Sequence, residues 1–230
     1  MKELFPEYFF DLINFQHQIL FDPKAYVWNA LKSLDKYLLS LPLGKIEVKI
    51  PAGVHLIDSH LISIGKGSII EPGAYIKGPC YIGQNCTVRH GAYIRGHLLT
   101  GNKCVVGHDS EIKNAILFDG AQAPHFAYVG DTILGNRVNL GAGTICANLK
   151  MNKKNILVQI HGEESIDTEM HKLGLIIGDD SQTGCNTVTN PGTFFGKSVW
   201  CYPTLNVGGF IPSNSIVKDQ SAILIQPRKP

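Results

Sequence analysis

The sequence lacks several features that would each define a class of protein. No apolar run approaches the ~20 residues of a membrane-spanning helix, and the N-terminus has no long apolar stretch after a basic region, so we expect neither a membrane span nor a signal peptide. The 230 residues carry a net charge of only +2, whereas nucleic-acid surfaces usually show a strong basic excess. Six cysteines occur without a CxxC pair, so the usual zinc and redox spacings are absent.

The sequence does contain a six-residue repeat. Stepping by six from residue 64 gives a row that is aliphatic at every position but one: Ile64, Ile70, Ile76, Ile82, Val88, Ile94, Thr100, Val106 and Ile112. Residues two positions earlier are mostly small, for example Ala74, Cys80 and Ala92. An α-helical stripe returns every three to four residues and cannot follow this period. We predict an all-β fold, a left-handed parallel β-helix built as a hexapeptide-repeat solenoid.

The repeat also divides the chain. Residues 1–45 show helical spacing from Ala25 to Leu38, between Pro23 and Pro42, so we predict an N-terminal helical segment that caps the first coil. Residues 46–218 form the solenoid, with roughly eight coils of ~18 residues. The repeat disappears over 152–174, which we interpret as an inserted loop or hairpin, and 219–230 form a C-terminal tail.

The cysteines fit the repeat. Cys80, Cys86 and Cys104 occupy the small position, and Cys146 and Cys201 occupy the large one. Reduced cysteine packs as a small apolar residue. We therefore expect free thiols in the core and a reducing, cytoplasmic compartment.

Polar residues interrupt the repeat most densely between 89 and 154. The segments RHGAYIRG, EIKNAIL, APHFAYVGD, NRVNLGAGT and IIGDDSQTG occur in this order between residues 89 and 184. Together they resemble the acetyltransferase domain of the bifunctional glucosamine-1-phosphate acetyltransferase/N-acetylglucosamine-1-phosphate uridyltransferases, and particularly the archaeal-type sugar-1-phosphate members, over about residues 64–218. The pairing of HxxYxGD with NxGAGT is far more specific than the hexapeptides alone.

The resemblance implies a role for individual residues. His125 matches the catalytic base, and Asn139 matches the asparagine beside the attacking amine. The residues that match substrate-binding positions are Arg89, Lys113, Tyr128, Asn148 and, from a neighbouring subunit, Lys154. Ala142 and Cys185 fall where the family lines the acetyl-coenzyme A channel. The resemblance thus implies an acetyl-coenzyme A-dependent acetyltransferase that needs no metal, acts on a sugar phosphate and forms a homotrimer.

General chemistry is compatible with these roles. A histidine near the reference pKa of ~6.5 suits removal of a proton from an amine. An arginine can bind a phosphate through two N–H groups of its guanidinium at once, and a lysine can bind it through its single charged ammonium. Arg89 and His125 are two coils of ~18 residues apart, which predicts a separation of ~10 Å on one face.

The sequence departs from the family in three places. Leu149 replaces the tyrosine of the bacterial enzymes, although archaeal-type members share this leucine, and the 152–174 insertion lies next to the predicted sugar site. Nothing in residues 1–49 resembles the glycine-rich loop of the nucleotidyltransferase domain. We therefore expect no uridyl transfer by this chain alone.

Three alternatives remain open at this stage. The acceptor could be another sugar or a nucleotide-sugar, because a fold does not fix its substrate. The chain could be a non-catalytic trimeric scaffold that partners a separate nucleotidyltransferase. A zinc enzyme would need converging histidines, but His90, His108 and His125 are spaced 18 and 17 apart and should stack along one face.

Overall fold

The structure is a computed structural model that describes residues 2–160, 162 and 164–219. The predicted tail, 219–230, lies outside the described residues except for Asp219. Two α-helices precede the solenoid, α1 (Pro6–Phe9) and α2 (Asn29–Ser40). Three 3₁₀ helices span Lys2–Leu4, Gln18–Leu20 and Ser59–Leu61. Within the described residues, no helix is long and apolar enough to cross a membrane.

The solenoid is a three-sided prism of parallel strands, which confirms the predicted left-handed parallel β-helix. We number its faces in the order in which the chain visits them. Two long strands, Glu111–Leu117 and Tyr128–Leu134, each turn the corner from face 1 to face 2. The other strands of face 1 are His55–Ile57, Tyr75–Lys77, Tyr93–Ile94, Ile145–Cys146, Val188–Thr189 and Asn206–Val207.

The two remaining faces are built in the same way. The other strands of face 2 are Ile62–Ile64, Cys80–Ile82, Leu98–Thr100, Leu175–Ile177, Thr193–Phe195 and Phe210–Ile211. Face 3 consists of Ile69–Ile70, Thr87–Val88, Val105–His108, Gln122–His125, Asn139–Leu140, Gln182–Thr183, Trp200–Cys201 and Ile216–Val217.

The interior follows the predicted period. Every residue of the row from Ile64 to Ile112 is buried, as are Cys80, Cys86, Cys104, Cys146 and Cys201. Ile112, Val129 and Cys146 pair in register, so these two coils have 17 residues. Left-handed backbone recurs at the corners, including non-glycine positions such as Asp131 (φ 49°). Asparagine and aspartate tolerate this conformation better than other non-glycine residues.

The N-terminal segment does not cap the first coil, contrary to our expectation. It lies along face 2, where five outward side chains are apolar and fully buried: Leu99, Ile116, Ile133, Ile176 and Phe194. Phe118 stacks on Phe10 and Phe15, with ring centroids 4.5 and 4.0 Å apart. The segment lies here because a strand that is apolar on both sides needs a second layer to cover it.

Helix α2 begins later than its apolar spacing suggested, at Asn29 rather than near Ala25. Asp22 holds the preceding turn, since its side chain accepts a hydrogen bond from the Lys24 N–H at 2.8 Å. Asx turns of this kind compete with helical structure.

The 152–174 insertion contains an antiparallel hairpin of Leu157–Val158 and Ile166–Asp167. Its buried residues Ile156, Val158 and Ile160 join the apolar cluster of the N-terminal segment. The hairpin and the segment therefore form one continuous layer on face 2, and among the described residues faces 1 and 3 stay uncovered.

Candidate active site

A buried carboxylate organises the corner between faces 1 and 2. Asp131 is only 5% exposed and accepts three contacts from neighbouring coils. The Lys113 ammonium lies 2.9 Å from Oδ2, the Asn114 amide donates to Oδ1 at 2.8 Å, and the Asn148 amide donates to Oδ2. Two predicted substrate-binding residues, Lys113 and Asn148, are thus brought together around a carboxylate that was not among the predicted site residues.

Tyr128 extends across face 1 to the same corner. A Cβ on Gly130 would stand 2.7 Å from Tyr128 Oη and 2.6 Å from Asn148 Nδ2, so the absent side chain makes room for the phenol. The Asn148 amide donates to Tyr128 Oη at 3.3 Å. Lys113, Tyr128, Asn148 and Asp131 therefore form one group, called here the Asp131 cluster.

His125 lies at the other edge of face 1, at the end of a face 3 strand. It is exposed, and within the described residues its ring makes no hydrogen bond or ion pair. His125 pairs in register with His108, and the rings of His90 and His108 stack with centroids 5.9 Å apart. The predicted ladder of histidines along one face is confirmed. No group of three or more metal-ligating side chains that could hold a metal occurs among the described residues.

Arg89 is placed near the histidine edge rather than near Lys113. Its guanidinium donates to the Pro124 carbonyl at 3.4 Å, next to His125. Gly107, on the intervening coil, permits this contact, because a Cβ there would collide with the Pro124 backbone. The structure thus separates Arg89 from Lys113, which lies at the opposite edge of face 1 beside Gly130.

A different arginine lies beside Lys113. Ile94 pairs with Ile112, so the next residues, Arg95 and Lys113, occupy the same position on adjacent coils. Their backbones are therefore about 4.8 Å apart, the spacing between neighbouring strands. Arg95 also forms an ion pair with Glu111 at 2.7 Å. Arg95 was not among the predicted site residues, although its spacing of one 18-residue coil from Lys113 was a usable signal.

The residues predicted to line the acetyl-coenzyme A channel continue the His125 row. Gln122 pairs with Asn139, and Asn139 pairs with Gln182. Three residues further along each strand, His125 therefore aligns with Ala142 and Ala142 with Cys185, which is exposed. Asn139 lies three residues before Ala142, so its Cα is about 10 Å from this row.

Lys154 lies apart from all the other predicted residues. It is exposed in a loop, where its backbone N–H donates to Asn152 Oδ1 at 3.1 Å. Within the described residues its side chain makes no hydrogen bond or ion pair with the Asp131 cluster or His125.

The described residues of the insertion flank the Asp131 cluster without covering it. At its end, the Leu173 N–H donates to the Asn148 carbonyl at 3.0 Å and the Gly174 N–H donates to the Asp131 carbonyl at 2.8 Å. The departure at Leu149 is also accommodated on the surface, because this side chain is 42% exposed. The backbone of the insertion therefore supports the cluster, while no described residue of the insertion covers face 1.

The chain is similar in sequence to several known proteins. Residues 76–171 match the family described as the GMPPB C-terminal domain. The chain is 31% identical over 202 residues to the Bifunctional protein GlmU of Methanococcus maripaludis, covering 88% of this chain and 48% of that protein. It is 37% identical over 91 residues to the Bifunctional sugar-1-phosphate nucleotidylyltransferase/acetyltransferase of Sulfurisphaera tokodaii, covering 40% and 22%. The chain thus spans about half or less of the length of these curated relatives.

Among solved structures, the chain is similar to an Arabidopsis UDP-N-acetylglucosamine acyltransferase, with a TM-score of 0.41 and 12% identity over 70% of this chain and 69% of that chain. The repeat and the three parallel faces define the class, which is the hexapeptide-repeat left-handed β-helix proteins. Within this class the family resemblance is confirmed, since the homologues are named GlmU and sugar-1-phosphate nucleotidylyltransferase/acetyltransferase. The Sulfurisphaera relative is named an acetyltransferase, and the Arabidopsis protein is named an acyltransferase.

Proposed function

We propose that this chain transfers the acetyl group of acetyl-coenzyme A to the amine of an amino-sugar 1-phosphate, with glucosamine-1-phosphate as the first candidate. One observation carries the proposal. A single coil places His125 at one edge of face 1, and the Asp131 cluster, with Lys113, Tyr128 and Asn148, lies at the other. Base and acceptor-binding groups thus flank one open surface.

In the proposed reaction, the sugar amine attacks the thioester carbonyl carbon and His125 takes the proton that the nitrogen loses. The C–S bond then breaks, and the leaving thiolate of coenzyme A receives a proton. Backbone N–H groups would stabilise the oxyanion. An exposed imidazole without an internal partner is free to accept this proton, which is the condition of His125 within the described residues.

The phosphate needs fixed cations on this surface. Lys113 is one, and Arg95 is better placed than Arg89 to be the second because it occupies the same position one coil away. Arg89 remains a candidate to bind a part of the substrate that lies nearer His125. Ala142 and Cys185 continue the His125 row, and we propose that the pantetheine arm lies along this row.

Asn139 stands about 10 Å from the His125 row on its own strand, so we propose that Asn139 and Lys154 complete the site of a neighbouring subunit in a homotrimer. Sedimentation analysis tests the assembly, and a monomer would contradict it.

We also propose a reducing, cytoplasmic compartment, which is supported by six free cysteines.

The test measures thiol release from acetyl-coenzyme A with glucosamine-1-phosphate, galactosamine-1-phosphate or no acceptor. His125→Ala removes the proposed base, and His90→Ala is the matched control, because His90 holds the same position two coils away. We expect kcat to fall about 10²–10⁴-fold in His125→Ala and to stay within twofold in His90→Ala. Equal rates in wild type and His125→Ala would refute the assigned role, and no release with either sugar phosphate would favour another acceptor or the scaffold alternative.

A further inference from the structure

Asp131 determines which way the Asn148 side chain points. An ionised carboxylate accepts hydrogen bonds and donates none, so the end of the Asn148 amide that faces Asp131 must be its NH₂ group, Nδ2. The same NH₂ group donates to Tyr128 Oη at 3.3 Å. Both hydrogens of the Asn148 amide are therefore directed inside the cluster, and its carbonyl Oδ1 is the atom left to meet a ligand.

The direction of this network also fixes Tyr128. Because its oxygen already accepts from Asn148, the phenol hydrogen remains available to donate to a bound molecule. Lys113 behaves in a comparable way, since an ammonium has three donors and the contact with Asp131 occupies one of them. The cluster thus offers two donors, from Tyr128 and Lys113, and one acceptor, from Asn148.

We propose that Asp131 is a positioning residue for the acceptor substrate, which orients Lys113 and Tyr128 as donors and Asn148 as an acceptor. Donors suit the anionic oxygens of a phosphate, and the acceptor suits a sugar hydroxyl or amine hydrogen. Asp131 acts through these side chains without touching the substrate, because three donors already surround its buried carboxylate. This inference rests on the proposed function, whose acceptor carries both kinds of group.

The position itself favours a carboxylate in this orientation. Asp131 adopts a left-handed backbone, with φ 49°, at the corner where its coil turns from face 1 to face 2. Its burial also means that removal of the charge would leave Lys113, whose side chain is only 19% exposed, without its counterion. Without the Asp131 charge, the Lys113 ammonium is free to reorient toward solvent, and the Asn148 amide is free to flip.

The test is Asp131→Asn, which keeps the shape and tolerates the left-handed backbone. Asp180→Asn is the matched control, because Asp180 also has a left-handed backbone (φ 60°) and pairs with a cation of an adjacent coil, Arg137 at 2.6 Å, but lies away from the cluster. In Asp131→Asn we expect the KM of glucosamine-1-phosphate to rise about tenfold or more. We expect kcat and the KM of acetyl-coenzyme A to change less than twofold, and Asp180→Asn to behave like wild type.

A merely structural role for Asp131 would lower the amount of folded enzyme and leave the acceptor KM of the folded fraction unchanged, and this result would overturn the inference while leaving the proposed function intact. A wild type without activity toward amino-sugar phosphates would overturn both. If Asp131→Asn does not fold, Tyr128→Phe decides, because phenylalanine keeps the ring over Gly130 and removes the hydroxyl, which is both the outward donor and the acceptor for the Asn148 amide. We expect the acceptor KM of Tyr128→Phe to rise about fivefold or more, and an unchanged KM would overturn the proposed network.

Discussion

Burial of His17 should make the stability of this protein depend on pH. The side chain is 2% exposed and packs edge-on against Tyr37 of helix α2 and Tyr81 of face 2. Its Nδ1 lies 2.8 Å from Tyr37 Oη, and its Nε2 has no hydrogen-bond partner within the described residues. Burial lowers the pKa of His17 to about 4, since a charged imidazole would lose its hydration.

The sign of the effect follows from proton binding. The unfolded chain binds a proton at His17 near the reference pKa of ~6.5, whereas the folded protein binds it only near pH 4. The unfolded state therefore holds more protons between these values, and the contribution of His17 to stability is lost as the pH falls. Between pH 7 and pH 4.5 the loss amounts to about 2.5 kcal/mol.

The assay is urea unfolding of wild type and His17→Gln at several pH values between 7 and 4.5. Glutamine keeps a polar contact to Tyr37 but does not titrate in this range, so the difference between the two proteins isolates His17 from the carboxylates. We expect wild type to lose about 2.5 kcal/mol relative to His17→Gln across the range. Parallel pH profiles would refute the assignment of His17 as a buried neutral imidazole.

Three further predictions concern the fold. Phe118→Ala removes a fully buried ring that stacks on Phe10 and Phe15, and should lower the free energy of unfolding by about 3–5 kcal/mol in denaturant titrations. Gly107→Ala forces a Cβ into the Pro124 backbone and should destabilise the protein by about 3 kcal/mol or more; an unchanged melting temperature would contradict the close approach of these coils. Glu169→Gln breaks an exposed pair with Lys32, and calorimetry should show a change below about 1 kcal/mol.

The solenoid could be predicted because its signal repeats. Each coil places the same kind of residue inward, so Ile64 and Ile112 are supported by every position between them. The docking of the N-terminal segment was harder to foresee, since outward residues such as Ile116 and Ile176 lie between inward apolar residues. Three consecutive apolar residues in a strand indicate burial on both sides, and this signal was available in the sequence.

The candidate site could be predicted only in part. Lys113, Tyr128 and Asn148 were chosen by resemblance, and the structure brings them together. Asp131 was not singled out, because an aspartate at a solenoid corner is also explained by its tolerance of left-handed backbone. Arg95 could have been predicted, because it precedes Lys113 by one regular 18-residue coil, before the 17-residue coils begin at Ile112.

The most direct test of the account is identification of the product. Wild-type protein is incubated with acetyl-coenzyme A and glucosamine-1-phosphate, and the sugar fraction is analysed by mass spectrometry alongside thiol release. The account predicts N-acetylated sugar phosphate in a one-to-one ratio with released thiol, and none without the acceptor. Thiol release without an acetylated sugar, or no reaction at all, would contradict it.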